Sequence, residues 1–243
     1  EFIPKYIDLF SSESVFEKNF ASLYELINNP NLSNLKNIYI SGSNPRENQL
    51  IDIEDYDSNI NLHDTQKKCM QLSLGLEDFL LIQGPPGTGK TLTIALIINQ
   101  LFKEQRSVLI ACYTHRAIDE VVRKIRENAP EVSIFRLGSR DTQKNGDTID
   151  LESIINEENN LDDRVEKAKS IISKKPVYIG TTHAWLSGKY DHLVTENLFD
   201  IAIIDEAAQV VMPNALGVIR LAKKFILVGD HKQLPPVIQS SEA

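Results

Sequence analysis

Gly84, Gly89, Lys90 and Thr91 stand at the spacing Gly-x-x-x-x-Gly-Lys-Thr, with Pro85, Pro86, Gly87 and Thr88 between the glycines. Glycines at this spacing let successive main-chain N–H groups curl round an anion. A lysine in that place offers a point charge to terminal phosphates, and the threonine hydroxyl after it is a magnesium ligand. The run 79–82 upstream is short and apolar, as in a buried parallel strand, and residues 92–102 downstream carry a helical pattern. A helix opening directly out of the loop would add its unpaired N–H groups and its dipole. The chemistry is that of binding a nucleoside triphosphate.

Two stretches downstream extend it. Residues 201–204 form an apolar strand ending in Asp205 and Glu206. In a doubly wound sheet, ligands lie beyond the carboxyl ends of the strands, which would bring Asp205 beside the phosphate loop. Asp205 is expected to hold the magnesium shell and Glu206 to polarise an attacking water. A further apolar run, 225–228, ends in Gly229-Asp230-His231-Lys232-Gln233-Leu234-Pro235-Pro236. Gln233 is able to donate to a γ-phosphate oxygen and respond to its loss, and the paired prolines fix the chain direction that would transmit it.

The elements that must position these residues alternate. Strands are expected at 79–83, 107–112, 132–136, 177–181, 200–204 and 224–228, with helices at 91–103, 116–127 and 213–222. In the second helix Ile118, Val121, Val122 and Ile125 share one face. This pattern predicts an α/β domain over 61–243, a mostly parallel sheet flanked by helices. The segment 139–175 is too long for an ordinary crossover and places Leu161, Val165, Ala168 and Ile172 on one helical face, a helical insertion. Upstream, Ser14 and Glu17 have capping-box spacing, Phe16, Phe20, Leu23 and Ile27 follow as an apolar packing stripe, and Asn28-Asn29-Pro30 ends the helix. Residues 35–40 read as a short strand. The acidic, Asn-rich stretch 52–61 reads as a linker, so residues 1–60 form an appendage.

At 243 residues, 42% of them hydrophobic, the chain is able to bury a core of its own. No apolar run approaches the ~18 residues a membrane span needs, and no signal peptide opens the sequence. Cys69 and Cys112 are far apart with no metal-site spacing, which fits reduced, packed thiols and an intracellular protein. The net charge of −8 is unevenly spread: four basic against ten acidic side chains over 1–62, but nine against six over 103–144. The local basic excess is enough to grip phosphates. The start at Glu1 and the end at Ala243 read as the bounds of a fragment.

Residues 84–91, Asp205-Glu206-Ala207-Ala208-Gln209 and residues 229–236 resemble, in that order, motifs I, II and III of superfamily 1 helicases. The Asp-Glu-Ala-Ala-Gln box is similar to the up-frameshift-like branch, superfamily 1B. Tyr113-Thr114-His115-Arg116-Ala117-Ile118-Asp119 and Gly229-Asp230-His231-Lys232-Gln233 are most similar to the nuclease–helicase type of Okazaki-fragment processing. The resemblance covers 62–243 and implies RecA-like domain 1 of an ATP-dependent motor that uses ATP and Mg²⁺ and moves 5′→3′ along single-stranded DNA or RNA. DNA is the favoured partner, and a second RecA-like domain of the same full-length chain, with motifs IV to VI, would lie beyond this sequence, as would any nuclease. Gln66 maps to the glutamine that reads adenine, although the usual Leu-Asn-x-x-Gln has His63 in the asparagine position. Thr114 and His115 resemble motif Ia, Arg136 and Ser139 motif Ib, and Thr181, Thr182 and His183 motif Ic, which together imply contacts to a nucleic-acid backbone. Trp185 reads as core. The alternative is a nucleotide-gated clamp on nucleic acid or protein that does not unwind.

Overall fold

The computed structural model describes residues 10–39, 41–53, 62–137, 149–150, 160, 177–187 and 199–233. Seven strands form one sheet: β1 (Phe79–Gln83), β2 (Val108–Cys112), β3 (Ile134–Arg136), β4 (Ile149–Asp150), β5 (Val177–Thr181), β6 (Phe199–Ile204) and β7 (Ala222–Gly229). Their order is β1-β7-β6-β2-β5-β3-β4, and every pair is parallel. The six strands expected within 61–243 are all present, and the two-residue β4 extends the β3 edge. Parallel pairing forces long crossovers and hence helices on the faces.

The alternation along β2 shows how both faces are buried. Val108, Ile110 and Cys112 join one core cluster with Ile94, Ile98 and Leu101 of α4 (Lys90–Lys103) and with Ile118, Val121 and Ile125 of α5 (His115–Asn128). Met70 and Leu74 of α3 (Asp64–Leu74) close that layer. Leu109 and Ala111 face the opposite cluster, with Tyr178, Phe199 and Phe225. There the cover comes from α1 (Phe10–Asn28), α6 (Thr182–Leu186) and α7 (Met212–Ile219) through Leu26, Trp185 and Ile219. Trp185 is core, as expected: its Nε1 donates to Ile110 O at 3.0 Å and its ring meets Phe199 edge-on. Among the described residues no helix is long and apolar enough to cross a membrane.

Four expectations are corrected upstream of the sheet and on α7. Residues 35–39 do not make the expected strand; Ser33–Tyr39 is helix α2, and residue 40 lies outside the described residues. A run of six residues holding Leu35 and Ile38 fits one helical turn as well as an alternating strand. The α1 helix already runs through Phe10, so Ser14 is interior to it and not a cap. Its buried face is set by Ser22 and Leu26, with Phe20 66% and Ile27 45% exposed. Small Ser22 is what lets α1 approach Gly217 of α7, and Arg220 locks the register by donating to Ser22 Oγ at 3.1 Å and pairing with Glu25. Phe20 and Ile27 are thereby rotated outward, while Leu23 of the expected stripe packs against the core. Finally, α7 stops at Ile219 because Ala222 begins β7. The stretches 54–61, 138–148, 151–159 and 161–176, including Leu161, Val165, Ala168 and Ile172, lie outside the described residues.

The segment preceding α3 is fastened to the start of β1 through Asp78. This carboxylate is 2% exposed and accepts from Arg46 N at 2.6 Å, Arg46 Nε at 3.0 Å, Arg46 Nη2 at 2.6 Å and Asn34 Nδ2 at 2.6 Å. Asn48 adds a bond to Phe79 O at 2.8 Å on the open side of β1. Burial raises the Asp78 pKa, but the hydrogen bonds and charge of Arg46 and the Asn34 amide outweigh it and hold the group below its ordinary value. A depressed pKa contributes stability above the unfolded value near 4 that disappears as pH falls through the folded value. Asp78→Asn should therefore cost about 1–3 kcal/mol at pH 7. The gap between the urea midpoints of the two proteins should shrink as pH drops below about 4.

Candidate nucleotide site

The loop from Gly84 to Gly89 connects the end of β1 to the start of α4, and its geometry follows from its glycines. Gly87 and Gly89 sit at φ +80° and +81°, where a side chain is strained, and a Cβ on Gly89 would lie 2.6 Å from Gln66 Nε2. Because Gly89 is the N-cap and has no side chain to donate to, the first-turn N–H groups of α4 stay available for an anion. Thr88 Oγ1 donates to Pro85 O at 2.7 Å and tightens the turn, while Pro86 and Gly87 form its exposed tip. Gly84 N donates to Gly229 O at 3.1 Å, which ties this loop to the end of β7. Lys90 Nζ lies across the loop mouth, donating to Gly84 O at 2.9 Å and Pro85 O at 3.2 Å. Thr91 follows on the first turn of α4.

A cleft of about 410 Å³ opens from this loop toward the first turns of α3. Gln66 lines it, together with His63 and Cys69. Gln66 is held by the capping box of α3: His63 N donates to its Oε1 at 3.0 Å, and its Nε2 donates to Thr88 O at 3.4 Å. The sequence marked His63 as out of pattern; in the structure it is the N-cap, accepting from Thr65 N through Nδ1 at 3.3 Å.

Asp205 emerges from β6 in the centre of the sheet, only 4% exposed, with its main chain fastened to Ala111 O at 2.9 Å. Burial pushes its pKa up to about 6; the neighbouring Glu206 charge adds to this, while the Glu206 N–H at 2.9 Å and the Lys90 ammonium oppose it. Lys90 and Asp205 thus feel each other across β7. Glu206 is one of two non-glycine residues at positive φ among the described residues (φ 51°, ψ 41°), and its Oε2 is buried with no hydrogen-bond partner among them. A left-handed backbone and an orphaned carboxylate oxygen each cost on the order of 1–3 kcal/mol, and such costs cluster where chemistry is done. Gln233 sits beyond β7, its Oε1 accepting from Gln209 Nε2 at 3.3 Å. Leu234, Pro235 and Pro236 lie outside the described residues.

Asp205 has a consequence for stability. Its pKa is raised in the folded chain, so the ionised form works against folding at pH values above about 6. Asp205→Asn, neutral and near-isosteric, should raise unfolding free energy at pH 7.5 by up to about 2 kcal/mol. Calorimetry of the two proteins without nucleotide checks this.

The other half of the same rim carries the remaining candidates. The register Cys112↔Thr181 sets the ends of β2 and β5 level. Thr114 caps α5, accepting from Ala117 N at 3.2 Å, and Thr181 caps α6, accepting from Ala184 N at 3.0 Å. Thr114, His115 and His183 are exposed; Thr181 and Thr182 are buried. Arg136 is not offered to solvent. It is 5% exposed, Nη1 pairs with Asp119 at 2.6 Å, and Nε and Nη2 are without partners among the described residues. Ser139 lies outside them. Sequence reasoning missed Asp119 and the Gln209–Gln233 contact. Spacing gives no hint of the first, whereas Gln209 closes the Asp-Glu-Ala-Ala-Gln box and could have been paired with Gln233.

Comparison with known proteins places this geometry. A family model described as an AAA domain matches residues 61–182 and 150–241. The chain belongs to the AAA domain family. Similar proteins include the DNA replication ATP-dependent helicase/nuclease DNA2 of Saccharomyces cerevisiae, 36% identical over 77% of this chain and 12% of that protein. The Xenopus laevis protein of the same name is 38% identical over 75% of this chain and 17% of its own length, and the human one 32% over 75% and 16%. This AAA domain therefore spans under a fifth of these relatives. A nuclease-deletion mutant of the Type ISP restriction-modification enzyme LlaGI, solved with a DNA substrate mimic, shares the fold, with TM-score 0.50 and 18% identity over 70% of this chain and 17% of that one.

Proposed function

We propose that this AAA domain is the first RecA-like half of an ATP-dependent helicase or translocase acting on single-stranded nucleic acid, with movement 5′→3′. The observation that carries it is the acidic pair at the end of β6: buried Asp205, its pKa raised to about 6 and opposed by the charge of Lys90 from the glycine loop, and Glu206, whose carboxylate oxygen Oε2 has no hydrogen-bond partner among the described residues. The loop amides and Lys90 bind the β- and γ-phosphates, and Gln66 contacts adenine. Among the described residues no three or more His, Cys, Asp or Glu side chains converge as a metal site. That suits Mg²⁺, which takes one or two protein ligands and fills the rest with phosphate and water. Thr91 and Asp205 would hold it, Asp205 through the ion's water shell, and when bound it neutralises charge developing between the phosphates. Glu206 orients and polarises the attacking water, which would satisfy its free Oε2. Gln233 detects the γ-phosphate, with its amide held by Gln209.

Thr114, His115 and His183 present hydroxyl and imidazole groups to a nucleic-acid backbone, on the same rim as the nucleotide. Arg136, paired with Asp119, acts from beneath that surface, and Ser139, Thr181 and Thr182 complete the set. DNA is the favoured strand, in line with the relatives' names. The residues of one half-site are present, with 61–243 as the ATP-binding unit and the linker near 52–61 as its boundary. An arginine from a second RecA-like domain would complete the site, and such an arginine is worth roughly 10³–10⁵ in rate. Residues 1–243 alone should therefore bind ATP·Mg²⁺, hydrolyse it feebly and unwind nothing. Strand displacement by a longer chain carrying both halves, alongside single-strand-stimulated ATP hydrolysis, tests the motor. Stimulated hydrolysis without displacement would make it a clamp.

A further inference from the structure

The nucleotide reading gives Gln66 a task and leaves its neighbour His63 without one. Around Gln66, which reaches the phosphate loop at Thr88 O, the lining is His63, Thr65 and Cys69. The Gln66 amide has a single placement, because both its partners are main-chain groups with one role each: the His63 N–H donates to Oε1 and the Thr88 carbonyl accepts from Nε2. His63 is fixed in the same manner. Its Nδ1 accepts from Thr65 N at 3.3 Å and faces Thr65 Oγ1 at 3.1 Å. In a neutral imidazole an accepting Nδ1 puts the proton on Nε2. The ring is exposed, so a flat π surface and an Nε2–H donor lie on the cleft wall and are not spent in the core.

Capping alone does not call for histidine. Asn, Asp, Ser or Thr would cap the turn as well or better, with less bulk. We propose, resting on the nucleotide reading, that His63 is a specificity-determining residue: its imidazole contacts the purine base of the bound triphosphate. It then adds to affinity for a purine nucleoside triphosphate and nothing to affinity for the bare phosphate chain.

Titration calorimetry of residues 1–243 with ATP and with inorganic tripolyphosphate, each with Mg²⁺, tests this in the unchanged protein and in His63→Asn, which keeps a capping side chain. ATP affinity should fall about 5- to 10-fold in His63→Asn, the scale of one aromatic contact to a base, with tripolyphosphate unchanged. His63→Ala should lose the same ATP affinity and also melt earlier, having lost the cap. ATP affinity within twofold of the unchanged protein in His63→Asn overturns the proposal, as does tripolyphosphate weakening in step with ATP. Lys90→Ala separates the two levels: tripolyphosphate binding that survives it sinks the nucleotide reading, and this inference with it.

Discussion

Lys90→Ala should lower affinity for ATP·Mg²⁺ by about 10²–10³-fold, the scale of two or three charge-assisted hydrogen bonds. The ammonium lies across the loop mouth against Gly84 O and Pro85 O, where carbonyl oxygens stand in for the phosphate oxygens it would meet. It is also the positive charge that opposes the high pKa of Asp205. On the proposed reading, removing it takes away a phosphate ligand and leaves a buried carboxylate with less compensation. The fold should change little, because Lys90 is half-exposed at the first position of α4 and alanine suits a helix. Calorimetric titration measures the affinity directly. Thermal unfolding gives an independent check, since ligand at 100 times its Kd stabilises by about 2.7 kcal/mol and the variant should show almost none of it.

Glu206→Gln should separate binding from turnover. On the proposed reading its carboxylate works on a water and does not grip phosphate, and its Oε2 is buried with no hydrogen-bond partner among the described residues. An amide keeps the size and loses the charge that polarises water. In a chain carrying both RecA-like halves, ATP affinity should stay within about threefold while steady-state hydrolysis falls by about 10²–10⁴. Glu206→Gly tells the charge from the strain. Glycine adopts φ 51° without penalty and should add about 1 kcal/mol of stability, yet hydrolysis should fall as far as in the glutamine variant. Normal hydrolysis in Glu206→Gln would remove Glu206 from the mechanism.

Much of the sheet was legible because its strands are apolar on both faces. The run 201–204 and its neighbours are apolar without interruption, as strands of a doubly covered parallel sheet are. The phosphate loop was legible because its chemistry is local in sequence. What the sequence hid depended on distant partners. Residues 35–40 offered too few positions for their period to declare itself. The buried face of α1 was decided by Gly217 and Arg220, some 195 positions away, which reward small Ser22 over large Phe20. Arg136 read as a phosphate ligand because a strand-end guanidinium suits one, yet Asp119 takes it on the inside. His63 broke a pattern in the sequence, and its part as the N-cap of α3 appeared only in the structure.

The most direct measurement is a crystal structure of residues 1–243 with Mg²⁺ and a non-hydrolysable ATP analogue. The expected result has the triphosphate against the amides of 87–91, the ion at Thr91 Oγ1 with Asp205 on its water shell, and Glu206 turned to the γ-phosphate. An analogue bound elsewhere, or a loop occupied while Asp205 and Glu206 remain out of reach of the ion and the γ-phosphate, would contradict the account.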